Sequence, residues 1–284
     1  MPEKQLLVVI GPTASGKTAL AIRLALQHQT VVVSADSRQV YKELPIGSAA
    51  PHSEELRTVP HYFIGTHTIH EPLDAATFAR LVREQLDELF EQYDTVVLCG
   101  GSGMYVDGIL YGFDELPEQL PEVRAKWNAL HQEKGLPFLQ EQLKAADPEY
   151  YQVVDLNNPA RLIRALEVCE ITGKPYSQQR SGKSQPLPWP IKKMGINWSR
   201  EELYARINTR VDMMMKAGLL EEARSVYPFR KLSSLQTVGY TELFDYFDGI
   251  CTLEKAVDKI KQHTRNLAKR QLTWWKRDEE IEWV

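Results

Sequence analysis

The chain has 284 residues, 43% hydrophobic and 25% charged, which is an ordinary balance for a soluble globular protein of one or two domains. Its net charge of −4 means that a nucleic-acid partner would need a local basic surface, because the protein as a whole repels phosphate. The three widely spaced cysteines argue against a zinc module or a disulfide framework. The sequence also shows no signal peptide and no apolar run of membrane length, so we expect a cytoplasmic protein without a membrane partner.

The first predicted strand, Gln5 to Ile10, leads into residues 11–18, Gly-Pro-Thr-Ala-Ser-Gly-Lys-Thr. This segment fits the phosphate-binding pattern G-x-x-x-x-G-K-[ST], and a predicted helix follows it. In such a loop the backbone N–H groups point at one anion, Lys17 adds a positive charge and the Thr18 hydroxyl can ligate Mg²⁺. The segment predicts a site for a phosphorylated molecule. A glycine-rich turn without a ligand is the disfavoured alternative, because strand and helix flank the loop as a phosphate site requires.

The second predicted strand, 30–34, ends just before Asp36. In a doubly wound sheet, groups at the carboxyl ends of the strands face the ligand crevice. We therefore expect Asp36 beside the phosphate loop, where its carboxylate could accept a proton or hold Mg²⁺ through water. The alternative is that Asp36 only caps the following turn.

Residues 44–76 read as loop, and their four histidines are not spaced in a way that favours a metal site. A helix at 75–93 and a third buried strand at 95–99 follow. That strand ends in glycines, at 100, 101 and 103, and lacks the acid that ATPases place there for Mg²⁺. The glycines suggest close approach of the backbone to a ligand. The pattern disfavours a motor or a GTPase and favours group transfer from a small phosphorylated donor.

From 114 to 190 the pattern predicts helices without strands, which we interpret as a helical insertion domain within an α/β core of residues 1–113 and 191–284. Asn158 should cap a helix that Pro159 begins and Gly173 ends. Arg161 and Arg164 share one face of this helix. Contact with phosphate is at least as good an interpretation as a solvated face.

A strand at 191–198, helices at 200–217 and 219–227, a loop at 233–240 and a last helix at 253–276 complete the prediction. Cations outnumber acids on the last helix, and two tryptophans lie at its end. Basic residues with aromatics are a modest indication of nucleic-acid binding, and a salt-bridged helix explains them equally well. We call the following set the basic stripe: Lys255, Lys259, Lys261, Arg265, Lys269, Arg270, Lys276 and Arg277.

Six motifs stand in one order along the chain: the phosphate loop, Asp-Ser-Arg-Gln-Val-Tyr at 36–41, Gly-Gly-Ser-Gly-Met-Tyr at 100–105, Arg-Leu-Ile-Arg-Ala-Leu-Glu at 161–167, Val-Gly-Tyr at 238–240 and Arg-Asn-Leu-Ala-Lys-Arg-Gln at 265–271. Together they closely resemble the bacterial type of the tRNA dimethylallyltransferase (tRNA isopentenyltransferase) family, over essentially the whole chain. The resemblance implies a P-loop NTPase-like parallel sheet with a helical insertion domain that grips the anticodon stem-loop. It also implies transfer of a dimethylallyl group from dimethylallyl diphosphate to N6 of adenosine 37 of tRNA, with Mg²⁺, by a monomer.

The resemblance further implies roles for single residues. Asp36 would be the general base, and Lys17 and Thr18 would act on the diphosphate and its Mg²⁺. The expected diphosphate-binding residues are Gly11, Pro12, Thr13, Ala14, Ser15, Gly16, Lys17, Thr18 and Arg210. The expected tRNA-binding residues are Asp36, Ser37, Arg38, Gln39, Ser102, Arg124, Ala160, Arg161, Leu162, Ile163, Arg164, Gln236, Thr237, Val238, Gly239, Tyr240 and Thr241. Ser102 replaces a frequent Thr and keeps its hydroxyl, whereas Ala50 replaces a frequent Lys, so no cationic contact is expected there.

Three other functions fit part of the pattern. A small-molecule kinase would use ATP as donor and Asp36 as the base for a hydroxyl acceptor. An isopentenyltransferase acting on free adenylate would need no RNA. A non-enzymatic RNA-binding protein with a degenerate phosphate loop is disfavoured, because Gly16, Lys17 and Thr18 are intact.

Overall fold

The computed structural model describes residues 4–114, 116–180 and 185–284. In this part of the chain six strands form one sheet in the order β3-β2-β4-β1-β5-β6, and every neighbouring pair is parallel. The strands are β1 (Gln5–Ile10), β2 (Val32–Ser34), β3 (His61–Tyr62), β4 (Thr95–Gly100), β5 (Ile191–Gly195) and β6 (Ile281–Trp283). The predicted α/β class with a parallel sheet is therefore confirmed.

The centre of the sheet is buried because β1 and β4 consist of apolar residues on both faces. Residues 6–10 of β1 are all buried, and Val96, Val97 and Leu98 of β4 are fully buried. In the register of the sheet, Ile10 pairs with Gly100 on one side and with Gly195 on the other. Three strands thus end level with one another, which brings the loops that follow them together at one edge of the sheet.

The helices are α1 (Lys17–Gln27), α2 (Ser53–Thr58), α3 (Ala75–Gln92), α4 (Gly103–Tyr111), α5 (Pro121–Ala146), α6 (Pro148–Val153), α7 (Pro159–Thr172), α8 (Tyr176–Gln179), α9 (Arg200–Lys216), α10 (Leu219–Val226), α11 (Tyr240–Phe247) and α12 (Leu253–Trp275). Short 3₁₀ turns occur at Tyr227–Phe229 and Ser233–Leu235. None of the described helices combines the length and the hydropathy needed to cross a membrane.

The chain forms two compact units. An α/β unit comprises Met1–Gly112 and Pro186–Val284, and a helical unit comprises Phe113–Gln185. The predicted insertion, 114–190, starts and ends slightly later in the chain than the helical unit.

The helical unit has its own core, built from one side of α5 and of α7. Its buried residues are Trp127, Leu139, Leu143, Leu162, Ile163, Ala165 and Leu166. Gly135 interrupts α5 with a φ of 77°, so α5 consists of two helical segments on either side of this residue. The Asn158 side chain caps α7 by accepting from the N–H of Arg161, and Gly173 ends that helix in the left-handed conformation, as expected.

Five helices and strands of the α/β unit were not predicted. α2 and β3 lie inside the segment predicted as loop, α4 follows the glycines after β4, α11 begins at the end of the loop at 233–240, and β6 lies beyond the last predicted helix. β3 and β6 have two and three residues, too few to show a periodic pattern. They are strands because each pairs with an existing neighbour, β2 and β5 respectively.

Candidate active site

The phosphate loop joins the end of β1 to the start of α1. Gly11 and Gly16 have φ values of 147° and 99°, which side chains other than glycine rarely adopt. Ala14 has a φ of 63°, a left-handed conformation that is unusual for a residue with a Cβ. Left-handed residues within such a turn are typical of backbone nests that bind anions.

Lys17 lies over the loop and donates to the Pro12 carbonyl at 2.7 Å. The pKa of Lys17 is lowered to about 8, mainly because burial removes the ammonium group from water, and the positive charge of Arg210 contributes to the same shift. The negative charge of Asp36 acts in the opposite direction. Lys17 is thus a cation held in a desolvated position, where an added anion would strongly favour its charged form.

Asp36 follows β2, and its Oδ1 accepts the N–H groups of Arg38 at 2.8 Å and Gln39 at 3.3 Å. The capping role considered above is therefore real, but it uses only one carboxylate oxygen. Oδ2 accepts no hydrogen bond from any residue that the structure describes. Because the charge of Asp36 raises the pKa of both Lys17 and Arg210, the carboxylate lies near the cations of the loop, as expected.

Arg210 on α9 reaches the loop, where its Nη1 donates to Thr13 Oγ1 at 3.4 Å. Burial lowers the pKa of this guanidinium, as does the neighbouring charge of Arg206, while Asp36 raises it. The expected position of Arg210 at the phosphate loop is thus seen in the structure, and its place as a diphosphate ligand stays a prediction.

Three further side chains hold the loop and were missed by the sequence analysis. The Arg206 Nε donates to the Ala14 carbonyl, and the Trp198 Nε1 donates to the Ser15 carbonyl, both at 2.8 Å. Gln271 on α12 accepts from the Thr13 N–H at 2.8 Å through Oε1, and its Nε2 donates to the Gly101 carbonyl at 2.9 Å. Arg206 lies one helical turn before Arg210, a spacing that would have justified pairing them.

The glycines after β4 have close neighbours within the chain itself. A Cβ on Gly100 would lie 2.4 Å from the Ala35 carbonyl oxygen, and one on Gly103 would lie 2.4 Å from the Trp274 ring. A Cβ on Gly101 would lie 2.7 Å from the Gln271 amide nitrogen. These glycines let the segment after β2 and helix α12 pack tightly against the end of β4, and close approach to a ligand stays a prediction.

Residues 236–241 form a groove with α12 in the α/β unit. Its volume is about 390 Å³, and α12 contributes His263, Asn266, Leu267 and Arg270 to its walls. Gln236 is exposed, whereas Thr237, Val238 and Thr241 are partly exposed. Tyr240 is only 1% exposed and donates its hydroxyl proton to Glu222 at 2.6 Å, so its side chain faces the protein and not the groove.

The basic stripe divides into a paired and an unpaired part. Lys259 and Lys261 form ion pairs with acids of the α/β unit, at 3.2 and 2.6 Å, and Arg265 donates to the Asn208 side chain at 2.7 Å. Lys269 and Arg270, farther along α12, are exposed and have no ion-pair partner in the described part of the chain. The interpretation as a salt-bridged helix therefore holds for Lys259 and Lys261, and nucleic-acid binding by the exposed cations stays a prediction.

In the helical unit, some of the residues predicted to contact tRNA are exposed and others are buried. Ala160 and Arg161 are exposed at the start of α7, whereas Leu162 and Ile163 are 0% and 3% exposed. The side chains of Leu162 and Ile163 fill the core of the unit, so the expectation that they contact tRNA was wrong for their side chains.

Arg124 and Arg164 both pair with Glu167, which is fully buried, at 2.7 and 3.8 Å. Burial raises the pKa of Glu167 and the two arginines oppose that shift. Arg164 also donates to the Pro117 carbonyl at 2.8 Å. These two cations hold the helical unit together, a use that the sequence analysis did not foresee.

Around the turn after β2, Ser37 and Arg38 are partly exposed. Gln39 uses its amide within the protein, accepting from the Ser34 hydroxyl at 3.0 Å and donating to the Ala49 carbonyl at 3.1 Å. Ser102 precedes α4, and its hydroxyl makes no capping hydrogen bond there.

The chain is similar to one protein family and to curated proteins over most of its length. A sequence model described as IPP transferase matches residues 39–278. The chain is 50% identical over 283 residues to tRNA dimethylallyltransferase 1 of Phocaeicola vulgatus, covering 100% of this chain and 94% of the relative. It is 47% identical over 280 residues to the tRNA dimethylallyltransferase of Cytophaga hutchinsonii, covering 99% and 92%.

Solved structures agree with the sequence relatives. The full-length tRNA isopentenylpyrophosphate transferase of Bacillus halodurans aligns with a TM-score of 0.73 at 34% identity, over 99% of this chain and 90% of that one. A eukaryotic dimethylallyltransferase acting on tRNA aligns with a TM-score of 0.80 over 99% of this chain and 74% of that one. At 22% identity, the second likeness shows the fold alone.

Proposed function

Because this chain belongs to the IPP transferase family of tRNA dimethylallyltransferases, which are prenyltransferases acting on tRNA, we propose that it transfers a dimethylallyl group from dimethylallyl diphosphate to N6 of adenosine 37. The product is N6-isopentenyladenosine in tRNA. The observation that carries this proposal is the position of Asp36, with one unpartnered oxygen, beside the cations of a phosphate loop. A base next to a diphosphate site is what an amine acceptor and a diphosphate leaving group require.

The phosphate loop would stabilise the leaving group. An allylic C–O bond breaks readily once the charge on the departing diphosphate is neutralised, and Lys17 and Arg210 would supply positive charge at the loop. The pKa of Lys17, lowered to about 8 by burial, would rise when the diphosphate binds, since an anion favours the ammonium form. The lysine would then remain charged throughout the reaction at neutral pH.

The donor set also fits a magnesium ion held mainly by its substrate. The Thr18 hydroxyl makes no hydrogen bond within the described residues, and these residues contain no group of three or more His, Cys, Asp or Glu side chains that could hold a metal. Mg²⁺ is usually held by one or two protein groups, water and substrate phosphates, so this sparse set is suitable. When bound, Mg²⁺ would neutralise diphosphate charge, with Thr18 as its protein ligand.

Asp36 would accept the proton from the adenine amine as the new C–N bond forms. Its Oδ1 is fixed by two backbone N–H groups, so the direction of Oδ2 is also set before the substrate binds. Fixing a base in advance lowers the reorganisation that the reaction requires. The acid otherwise expected at the end of β4 in an ATPase is absent, which favours this chemistry over transfer from ATP.

The tRNA would be held by surfaces on both units. The groove formed by residues 236–241 and α12 lies beside the unpaired cations Lys269 and Arg270, and Arg161 is exposed on the helical unit. The target base lies in an anticodon loop, so it can be turned out of its stack at a cost of roughly a few kcal/mol.

One assay tests the proposal against its rivals. The protein is incubated with labelled dimethylallyl diphosphate and Mg²⁺, separately with bulk tRNA and with AMP, and in parallel with labelled ATP and tRNA. We expect label in tRNA, which nucleoside digestion and mass spectrometry locate at adenosine 37. Label in AMP would support the free-adenylate enzyme. Stoichiometric release of ADP would support a kinase, and no transfer at all would contradict the proposal.

A further inference from the structure

A phosphate loop binds an anion only if its N–H groups face the ligand and its carbonyl groups face away. Here the loop takes up an unusual backbone path, with Ala14 in the left-handed region. Nothing in the side chain of an alanine favours that conformation. The loop must therefore be held by contacts from elsewhere.

Two such contacts come from the segment that begins α9. The indole N–H of Trp198 donates to the Ser15 carbonyl and the Nε–H of Arg206 donates to the Ala14 carbonyl, both at 2.8 Å. The guanidinium of Arg206 also stacks on the Trp198 ring, with its central carbon 4.5 Å from the ring centroid. Each side chain thus holds a neighbouring carbonyl of the loop and holds the other side chain in place.

We propose that Trp198 and Arg206 are positioning residues, which keep the phosphate loop in its anion-binding conformation before the donor arrives. They do so by drawing the carbonyls of Ala14 and Ser15 away from the ligand. This inference rests on the proposed function, because it takes the loop to be the diphosphate site.

The surroundings of the pair distinguish this role from general stabilisation. Trp198 is 36% exposed and Arg206 is also exposed, so neither contributes a fully buried side chain to the core. Their removal should therefore change the loop more than the stability of the fold. Lys17 holds the Pro12 carbonyl from within the loop, so part of the conformation survives without them.

The test measures the affinity for inorganic diphosphate with Mg²⁺ by calorimetry, together with the KM for dimethylallyl diphosphate. Trp198→Phe removes the N–H and keeps a ring under Arg206, and Arg206→Lys keeps the charge but removes the Nε–H. We expect each variant to weaken diphosphate binding by about five- to tenfold, the effect of one hydrogen bond. The KM should rise by the same factor, with kcat, tRNA affinity and the thermal midpoint close to those of the wild type.

Trp189→Phe is the matched control, because Trp189 stacks on Phe90 at 4.0 Å and makes no contact with the loop. It should leave diphosphate affinity unchanged. The double variant of Trp198 and Arg206 should lose less than the product of the single effects, since both act on the same loop.

Wild-type affinity for diphosphate in Trp198→Phe would overturn the inference, as would equal losses in Trp198→Phe and Trp189→Phe. Wild-type affinity in Arg206→Lys would also overturn it, because a lysine ammonium cannot both reproduce the Nε–H donated to the Ala14 carbonyl and stack as a planar group on the Trp198 ring. If the wild-type protein itself binds no diphosphate, the proposed function is wrong. Failure of the present inference would instead be seen only in the comparison of the variants with the wild type.

Discussion

Replacement of Asp36 by Asn tests the proposed base with little change in shape. The amide of Asn keeps an oxygen that can accept from the N–H groups of Arg38 and Gln39, whereas it cannot take up a proton at neutral pH. Loss of a general base costs about 10²–10⁴ in rate, so we expect turnover to fall by that factor. Asp36→Ala should lose a similar factor and, in addition, the two hydrogen bonds of the turn, at about 1 kcal/mol each.

The charge of Asp36 also affects the pKa of Lys17, and this determines the pH at which the variant should be assayed. Asp36 raises the pKa of Lys17, so its removal lowers that pKa from about 8 and leaves less of the ammonium form at pH 8. Donor binding by the variant should therefore be close to wild type near pH 6.5 and weaker at pH 8. Single-turnover transfer from labelled dimethylallyl diphosphate to tRNA, measured at the lower pH, isolates the chemical step.

Asp74→Asn is the control, because Asp74 caps α3 by accepting from the Thr77 N–H at 2.7 Å. It changes a capping aspartate in the same way, and turnover should not change. A turnover of Asp36→Asn within a few-fold of the wild type would return Asp36 to a capping role and refute its assignment as the base.

Three further predictions concern binding. Lys17→Ala should abolish transfer and leave tRNA affinity largely intact. In the wild type, the affinity for diphosphate should fall as the pH rises through about 8, because Lys17 without bound anion loses its proton there. Calorimetry from pH 6 to 9 measures this affinity. Gln271→Met should raise the KM for dimethylallyl diphosphate about tenfold, because it removes the hydrogen bonds to the Thr13 N–H and to the Gly101 carbonyl. An unchanged KM would show that Gln271 has no role in donor binding. Arg161→Ala should weaken tRNA binding and reduce the salt dependence of that binding by about 1 in slope. Arg124→Ala should instead lower the free energy of unfolding of the helical unit by about 3–5 kcal/mol, because it leaves Glu167 buried without its nearest partner. Equal salt slopes and equal melting curves for the two variants would contradict this distinction.

The parts of the site that sequence could predict are local in the chain. The phosphate loop is eight consecutive residues, and its glycines stand where the backbone needs a positive φ. The position of Asp36 followed from one topological rule, that the ends of neighbouring parallel strands meet at one edge. Both predictions were possible because they depend only on a short segment and on the strands and helices next to it.

The residues that hold the loop could not be found in this way. Trp198 is 183 residues from the carbonyl it binds, and Gln271 is 258 residues from the N–H it accepts. Neither residue type indicates a contact with a phosphate loop, so only the packing of α9 and α12 shows it. Burial was equally hidden for Glu167, because a glutamate within an amphipathic helix ordinarily predicts an exposed side chain.

Asp36 and the basic stripe also show why two interpretations of one feature need not compete. A carboxylate has two oxygens, and at Asp36 one caps a turn while the other has no partner among the described residues. A long helix can likewise form ion pairs in one part and carry, in another, cations that no described acid pairs with, as α12 does. The sequence shows the residue types, but which of their atoms form contacts depends on the neighbours that the fold places beside them.

Helix α12 would serve both parts of the proposed reaction, because two adjacent residues face different proposed sites. Arg270 lines the groove proposed for tRNA, and Gln271 holds Thr13 of the phosphate loop. Since successive residues on a helix point about 100° apart, one element can serve two sites at once. We therefore expect that single side-chain changes can affect the proposed donor and tRNA sites separately, whereas changes to the whole helix cannot. A change that displaces α12 as a whole must weaken both, whereas Arg270→Ala should weaken tRNA binding alone.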